Sequence, residues 1–262
     1  MASLEDVAAR GASAVAQLRE GAGPVDKLLL HPGPELLDLD STPARVKQRI
    51  MDDVERITRL LQLHRLWSWR VGRMILDARR TRHGKPVRIL DVGAGGGALL
   101  FRLADWARRR RIPVELIGLD FDAGHIERTR RLAGEEGRRV DLRVADARDL
   151  RGFGDQSVDL ALSTFTLHHL DPGDAARALA ELDRVAAVNF FAFDLRRSLP
   201  VVPALWALLR VGGFDAPSRH DSMVSLRRAY SLAEVHGLLA AAEVADFAVE
   251  SVPPAFFIAT RA

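Results

Sequence analysis

The amino-acid sequence predicts an α/β protein: a seven-stranded, mostly parallel sheet with helices on both faces, an N-terminal helical cap, and an insertion after the fifth strand. Three observations predict it. Short apolar runs alternate with helical patterns from residue 87 onward, a glycine-rich turn follows the first of those runs, and the residues before position 84 carry helical periodicity.

Val46, Ile50, Val54, Ile57 and Leu61 recur at steps of three and four, the stripe of an amphipathic helix that needs a partner surface. "HRLWSWRVGRMILDARR" is a second helical stretch, and Gly84 and Pro86 in "TRHGKPV" break its pattern. Residues 1–83 therefore read as a helical region forming part of an acceptor pocket, and 84–262 as the main domain. Strands are expected at 87–92, 113–119, 139–144, 157–163, 187–193, 244–250 and 255–260, with helices near 97–111, 122–134, 173–186 and 231–242. Asp171 is placed to cap the third of these helices, with Pro172 in its first turn. Residues 195–230 break the rhythm with "LPVVPALWALLRVGGF" and a polar, Arg-rich segment, and read as a lid over the carboxyl ends of the strands.

The 262 residues, 48% of them hydrophobic, suffice for a sizeable core and contain no internal repeat. Net charge is only +3, and the basic residues are almost all arginine, with Lys27, Lys47 and Lys85 as the lysines. Arg108–Arg111 falls where a helix ends and cations complement its dipole, so no nucleic-acid partner is expected. The absence of cysteine excludes disulfides, thiolate metal sites and a Cys nucleophile. "MASLEDVAARG" lacks the apolar centre of a signal peptide, and no apolar stretch approaches the roughly 18 residues of a membrane span, so a cytoplasmic protein is expected.

In an open α/β sheet, ligands sit beyond the carboxyl ends of the strands. "VRILDVGAGGGALL" (87–100) places Gly93, Gly95 and Gly97 there, where backbone can approach a ligand closely and the next helix offers unpaired N–H groups. The turn alone leaves two cofactors open, because Gly93-x-Gly95-x-x-Ala98 also satisfies a dinucleotide fingerprint. Asp91 discriminates: its carboxylate would repel a pyrophosphate and attract an ammonium or sulfonium. Asp120 ends the second strand, where a carboxylate can accept both hydroxyls of a ribose, and Asp146 ends the third, where it can take the amino group of an adenine.

These residues resemble the class I S-adenosylmethionine-dependent methyltransferases, whose sheet is Rossmann-like. "LDVGAGGG", "GLDFD", "ADARDL" and "SVDLALSTFTLHHL" carry the resemblance, over about residues 85–195. It implies S-adenosyl-L-methionine as cofactor, with Asp91 near the methionine ammonium, Gly93, Ala94, Gly95 and Gly97 along the cofactor, and Asp120 on the ribose. It also implies Phe121 over the adenine, Asp146 and Ala147 at its edge, and Ser163 on the fourth strand. "DLRRS" and "RHDSMVSLRRAYS" resemble bacterial small-molecule methyltransferases of polyketide, phenol and quinone tailoring, that is, of secondary metabolism. One departure is that "ELDRVAAVNFFAFD" lacks the Pro-Gly-Gly turn many members place before the fifth strand, so a shortened turn is expected.

Methyl transfer from a sulfonium is an in-line displacement in which alignment does much of the work, but an oxygen acceptor must also lose its proton. His169 is the first candidate base and His168 the second, with Asp194 to orient the base or touch substrate and His220 with Asp221 as a further pair. Trp67, Trp69, Phe165, Trp206 and Phe214 supply flat apolar area for an acceptor. A nitrogen acceptor is disfavoured, since no Asn/Asp-Pro-Pro-aromatic turn follows the fourth strand. A Mg²⁺ mechanism would need several hard oxygen ligands, of which only Asp194 is suitably placed, so no metal is expected. The lid carries one internal charge, Arg210, and no basic face, so membrane contact is not expected either. The expected reaction is O-methylation of a phenolic or polyketide-type aromatic by a monomer or homodimer, with C-methylation of an activated aromatic or quinol ring as its variant. A nicotinamide-dependent oxidoreductase and a non-catalytic cofactor-binding partner protein are the alternatives from other classes.

Overall fold

The computed structural model describes residues 2–23, 27, 30, 33–198 and 200–262. Seven strands, β1 (Val87–Val92), β2 (Val114–Asp120), β3 (Asp141–Val144), β4 (Val158–Thr164), β5 (Ala186–Leu195), β6 (Phe247–Val252) and β7 (Phe256–Arg261), form one sheet in the order β3-β2-β1-β4-β5-β7-β6. β1 to β5 run parallel, and β7 pairs antiparallel with β5 and β6. The described helices are α1 (Leu4–Glu20), α2 (Ala44–Leu60), α3 (Leu63–Thr81), α4 (Ala98–Arg110), α5 (Ala123–Glu135), α6 (Pro172–Val185), α7 (Val201–Val211), α8 (Ala216–Arg228) and α9 (Leu232–Ala241).

Period-2 alternation divides each strand between two cores. Leu90, Val92, Phe190 and Ala192 face a core closed by α1, α6 and α9, whereas Val87, Ile89, Phe191 and Phe193 face one closed by α3 and α4. β1 is buried on both faces, which is why its sequence is a continuous apolar run up to Asp91.

α1 was not separable from the rest of the N-terminal region by periodicity. It starts at a Ser3/Asp6 capping box and packs across α6 and α9. Gly11 permits that approach, since a Cβ there would stand 2.5 Å from the Ala176 Cβ. The expected strands and helices of the main domain form with small shifts at their ends. The shortened turn before β5 is absent altogether: α6 ends at Val185 and β5 begins at Ala186. Asp171 holds the N-cap position of α6 with extended backbone, but its side chain makes no capping bond, and the helix begins at Pro172.

The insertion consists of α7 and α8, which pack on each other and, through α8, on α2. Among the described residues, no helix is long and apolar enough to cross a membrane.

Candidate active site

A cavity of about 1330 Å³ opens beyond the carboxyl ends of β1, β2 and β4 and is closed by α2, the start of α3, α7 and α8. Gly93, Ala94, Gly95 and Gly96 form one end of its wall. Gly93, Gly95 and Gly97 all have positive φ, the left-handed region that glycine enters without steric cost. At Gly93 a side chain is doubly excluded, because a Cβ would lie 2.1 Å from Thr166 Oγ1. The Gly93 and Ala94 N–H groups both donate to the Leu119 carbonyl at 2.8 Å, which ties the turn to β2.

Asp120 completes the turn. Its Oδ2 accepts from the Gly95 N–H at 2.7 Å and its Oδ1 from the Asp122 N–H at 2.9 Å, with His125 Nδ1 3.5 Å away. Asp91 is different. Its side chain is 1% exposed and Oδ1 has no hydrogen-bond partner. Burial, and then the neighbouring Asp120 carboxylate, push its pKa up to about 7. A buried carboxylate oxygen left without a donor costs free energy that a cation would recover. Asp91 does not itself line the cavity; it sets a negative charge behind the Gly93–Gly96 wall, and with Asp120 in the wall the residues present fit a nucleoside bearing an ammonium or sulfonium.

The remaining cofactor candidates divide. Phe121 stands at the rim, 65% exposed, and Ala147 lines the wall. Asp146 also lines it, but Arg148 Nε reaches both its oxygens at 2.9 Å while Arg148 Nη1 bridges to Asp174, and the Arg148 hydrogen bond lowers the Asp146 pKa. Gly97 does not line the cavity; it lets α4 approach Thr129, whose Cγ2 would be 2.5 Å from a Cβ. Ser163 is buried within the sheet between Val92 and Ala192, and Thr164, one residue nearer the strand end, lines the cavity instead.

The opposite end is apolar, then polar. Trp67 and Phe165 meet edge to face with centroids 5.8 Å apart, backed by Phe193. Phe165 has φ 55°, an unfavourable conformation for a bulky residue. It is held by its N–H bond to the Phe193 carbonyl and, beyond it, by Asp194, whose Oδ2 accepts from the Thr166 and Leu167 N–H groups at 3.0 and 2.7 Å. Asp194 Oδ1 meets His168 Nδ1 at 2.5 Å. With its carboxylate fully used and 1% exposed, Asp194 positions the His168 loop and does not line the cavity.

His168 and His169 do line it, ring centroids 4.2 Å apart. They meet two carboxylates that sequence reasoning missed, Glu35 and Asp38, at either end of the 3₁₀ turn Leu36–Asp38. His169 Nδ1 lies 2.9 and 3.0 Å from the two Asp38 oxygens, and Glu35 Oε1 lies 3.6 Å from His168 Nε2 and 3.9 Å from His169 Nδ1. Burial opposes charge on His169, but Glu35 and Asp38 outweigh it and lift the pKa to about 9. The two carboxylates thus favour the protonated ring, so His169 can act as the expected base, or offer Nδ1 as a ligand, only after giving up the proton that Asp38 holds there.

The turn is fastened from α8. Asp221 accepts from the Leu36 and Leu37 N–H groups at 2.8 and 3.0 Å, and Arg228 donates to the carbonyls of Gly33, His168 and His169. Asp221 thus caps a turn and does not serve as half of a catalytic pair. His220, 3.1 Å from it, belongs with Trp206 to a shallow hollow on the outer side of α7 and α8. Val201, Ala204, Leu205 and Leu208 turn the inner face of α7 to the cavity, and Trp206 lies off that stripe, 56% exposed beneath Arg210. Trp69 also points outward, and Phe214 is buried under Arg56 away from the cavity.

Residues 89–189 match the family described as Methyltransferase domain. A ubiquinone biosynthesis O-methyltransferase of Azorhizobium caulinodans is 36% identical over 107 residues, 40% of this chain and 40% of that protein. A malonyl-[acyl-carrier protein] O-methyltransferase of Geobacter sulfurreducens is 42% identical over 113 residues, 42% and 39% of the two chains. An aklanonic acid methyltransferase of a Streptomyces species is 35% identical over 111 residues, 42% of this chain and 47% of that protein. These matches span less than half the length of each relative. Over nearly the full chain, the structure of the plantazolicin methyltransferase in complex with a triazolic desmethylPZN analog and SAH shares the fold, with TM-score 0.62 at 12% identity, covering 98% of this chain and 96% of that one.

Proposed function

Because this chain carries a class I S-adenosylmethionine-dependent methyltransferase domain, we propose that it transfers the methyl group of S-adenosylmethionine to an oxygen of a small phenolic or polyketide-type molecule. The observation that carries the reading is Asp91, a buried carboxylate with an unpartnered oxygen behind a glycine turn, beside the fully bonded Asp120.

S-adenosylmethionine, when bound, supplies a methyl group already activated by a sulfonium leaving group. The chain's own tasks are to bind, align and keep water out. In this reading Asp91 neutralises the methionine ammonium, and the outer lone pairs of Asp120 take ribose hydroxyls. Phe121 closes over the adenine, with Asp146 and Ala147 at its edge. Trp67 and Phe165, with Ile57 and Leu61 from the N-terminal helices and Leu205 and Leu208 from the lid, form an apolar wall for a flat acceptor. The His168, His169, Glu35 and Asp38 corner offers the polar groups to which its hydroxyl docks; His168 Nε2 takes the proton that the hydroxyl loses on methylation, and Asp194, on His168 Nδ1, acts as a positioning residue that fixes that ring.

The names of two relatives, a ubiquinone biosynthesis and a malonyl-[acyl-carrier protein] O-methyltransferase, support an oxygen acceptor, and a third is named for aklanonic acid. Calorimetry with S-adenosylhomocysteine tests the reading. Micromolar binding that Asp120→Ala abolishes, and product mass increases on a panel of phenols, are the expected results; wild-type protein that binds no S-adenosyl ligand would end it.

A further inference from the structure

We propose that Glu35, His168 and His169 form a binding site for one divalent transition-metal ion of the Zn²⁺ or Fe²⁺ class, at the acceptor end of the cavity. The sequence predicts no metal, because Glu35 lies outside the strand ends where ligands were sought.

One ligand atom from each of the three residues falls within 4.8 Å of the others. The separations are the informative part. Glu35 Oε1 is 3.6 Å from His168 Nε2 and 3.9 Å from His169 Nδ1, too far for good hydrogen bonds. Tetrahedral ligands at about 2.0–2.2 Å from an ion stand about 3.3–3.6 Å apart, so small side-chain shifts would let a single ion satisfy all three. Glu35 is 3% exposed and its Oε1 has no hydrogen-bond partner, so a costly anionic atom points at two imidazole nitrogens without bonding either.

The surroundings have the outer arrangement that metal-binding histidines require. The Asp194 carboxylate at His168 Nδ1 holds that nitrogen as the protonated one, which leaves Nε2 as the lone-pair atom facing Glu35. Binding the ion displaces the His169 Nδ1 proton to solvent, and Asp38, now against that nitrogen, is then positioned to become a fourth ligand. Asp221 and Arg228, both on α8, clamp the backbone of both contributing loops, so one helix of the insertion holds the site. Two histidines with one carboxylate are a ligand set suited to Zn²⁺ or Fe²⁺, and three protein ligands leave room for an oxygen ligand from the cavity. The ion's binding does not depend on the methyltransferase reading; its use in holding an acceptor oxygen does.

The test is titration of metal-stripped, tag-free full-length protein with Co²⁺, read by visible absorbance, and with Zn²⁺, read by calorimetry, both without any S-adenosyl ligand. One ion per chain is expected, with an absorption spectrum of nitrogen- and oxygen-ligated Co²⁺. Glu35→Gln and His169→Gln should each weaken binding at least about tenfold, whereas His236→Gln, at an exposed site elsewhere, should not change it. Should Glu35→Gln fail to fold by circular dichroism, His169→Gln, whose ring is partly exposed, carries the comparison. Wild-type protein that takes up no stoichiometric ion, or folded Glu35→Gln and His169→Gln proteins that bind like wild type, would overturn the proposal. Since S-adenosylhomocysteine calorimetry reads the other end of the cavity, failure of this site and failure of the methyl-transfer reading give separate results.

Discussion

Asp91 and Asp120 stand at the ends of adjacent strands with opposite satisfaction: Asp120 is held by the Gly95 and Asp122 N–H groups, while Asp91 is buried with Oδ1 unpartnered. The Asp91 pKa is raised from the ordinary 3.8 to about 7, first by burial and then by Asp120. A cationic ligand requires the charged form.

Affinity for S-adenosylhomocysteine should therefore rise with pH up to about 7 and level off above it, with at most about a tenfold change per pH unit below that point. The stability contribution of this carboxyl runs the opposite way. Its folded pKa exceeds its unfolded value, so its contribution is fully present below about 3.8 and is lost as pH rises through about 7. Calorimetry from pH 5.5 to 8.5 checks the first trend. His125, 3.5 Å from Asp120, also has a raised pKa and is kept in Asp91→Asn, so that variant serves as the control: the difference between its profile and that of wild type should carry the rise up to about pH 7.

Gly93→Ala should abolish cofactor binding. The new Cβ would stand 2.1 Å from Thr166 Oγ1 and 2.9 Å from its Cγ2, at a φ of 77° that alanine disfavours. Removing the obstructing atoms separates the two effects. In Gly93→Ala/Thr166→Ala the two worst contacts go, a tight 3.0 Å approach to the residue 166 Cβ and the backbone strain remain, and binding should return in part, to within about tenfold of wild type if roughly 1 kcal/mol of strain persists. Full loss in the double variant would show that conformation alone governs the turn.

Asp194→Ala should cost at least about 3 kcal/mol of stability, since each buried donor left without its acceptor costs roughly 1–3 kcal/mol. The loss has several parts: His168 Nδ1 and the N–H groups of Thr166 and Leu167 all forfeit their acceptor, and Phe165 loses the bonds next to it that hold its left-handed backbone. Urea unfolding monitored by tryptophan fluorescence reads the change, since Trp67 packs directly on Phe165. A change below about 1 kcal/mol would remove Asp194 from this role.

The parts of the molecule legible in the sequence are those set by short-range rules. Strand runs, the glycine turn and the amphipathic stripe of α2 depend on periods of 2 and 3.6 and on residues that permit positive φ. Asp91 and Asp120 were legible because strand ends place them. Glu35 and Asp38 were not, since their value comes from contacts such as His169 to Asp38, 131 residues apart, and a lone glutamate in a loop carries no local signal. Likewise α1 announces itself mainly by its fit, with Gly11 against Ala176, and not by a strong apolar stripe. The insertion after β5 is visible as a break in the strand–helix rhythm, but which side of α7 faces inward depends on where the helix docks, and so the sequence places Trp206 in the pocket while the structure turns it outward.

That docking yields a paired prediction for the acceptor. Leu205 lies on the cavity side of α7 and Trp206 on the solvent side, in adjacent positions of one helix. Leu205→Ala removes apolar surface from the wall and should raise the KM for an aromatic acceptor by about tenfold, corresponding to the loss of roughly 1.5 kcal/mol of apolar contact. Trp206→Ala deletes a much larger side chain and should leave KM and kcat within about twofold, because its ring covers solvent-exposed helix and contacts Arg210. Steady-state methyl transfer on any accepted phenol measures both variants. A larger effect from Trp206→Ala than from Leu205→Ala would mean that α7 rotates to present its outer face during the reaction, and the apolar wall would then have to be redrawn around Trp206.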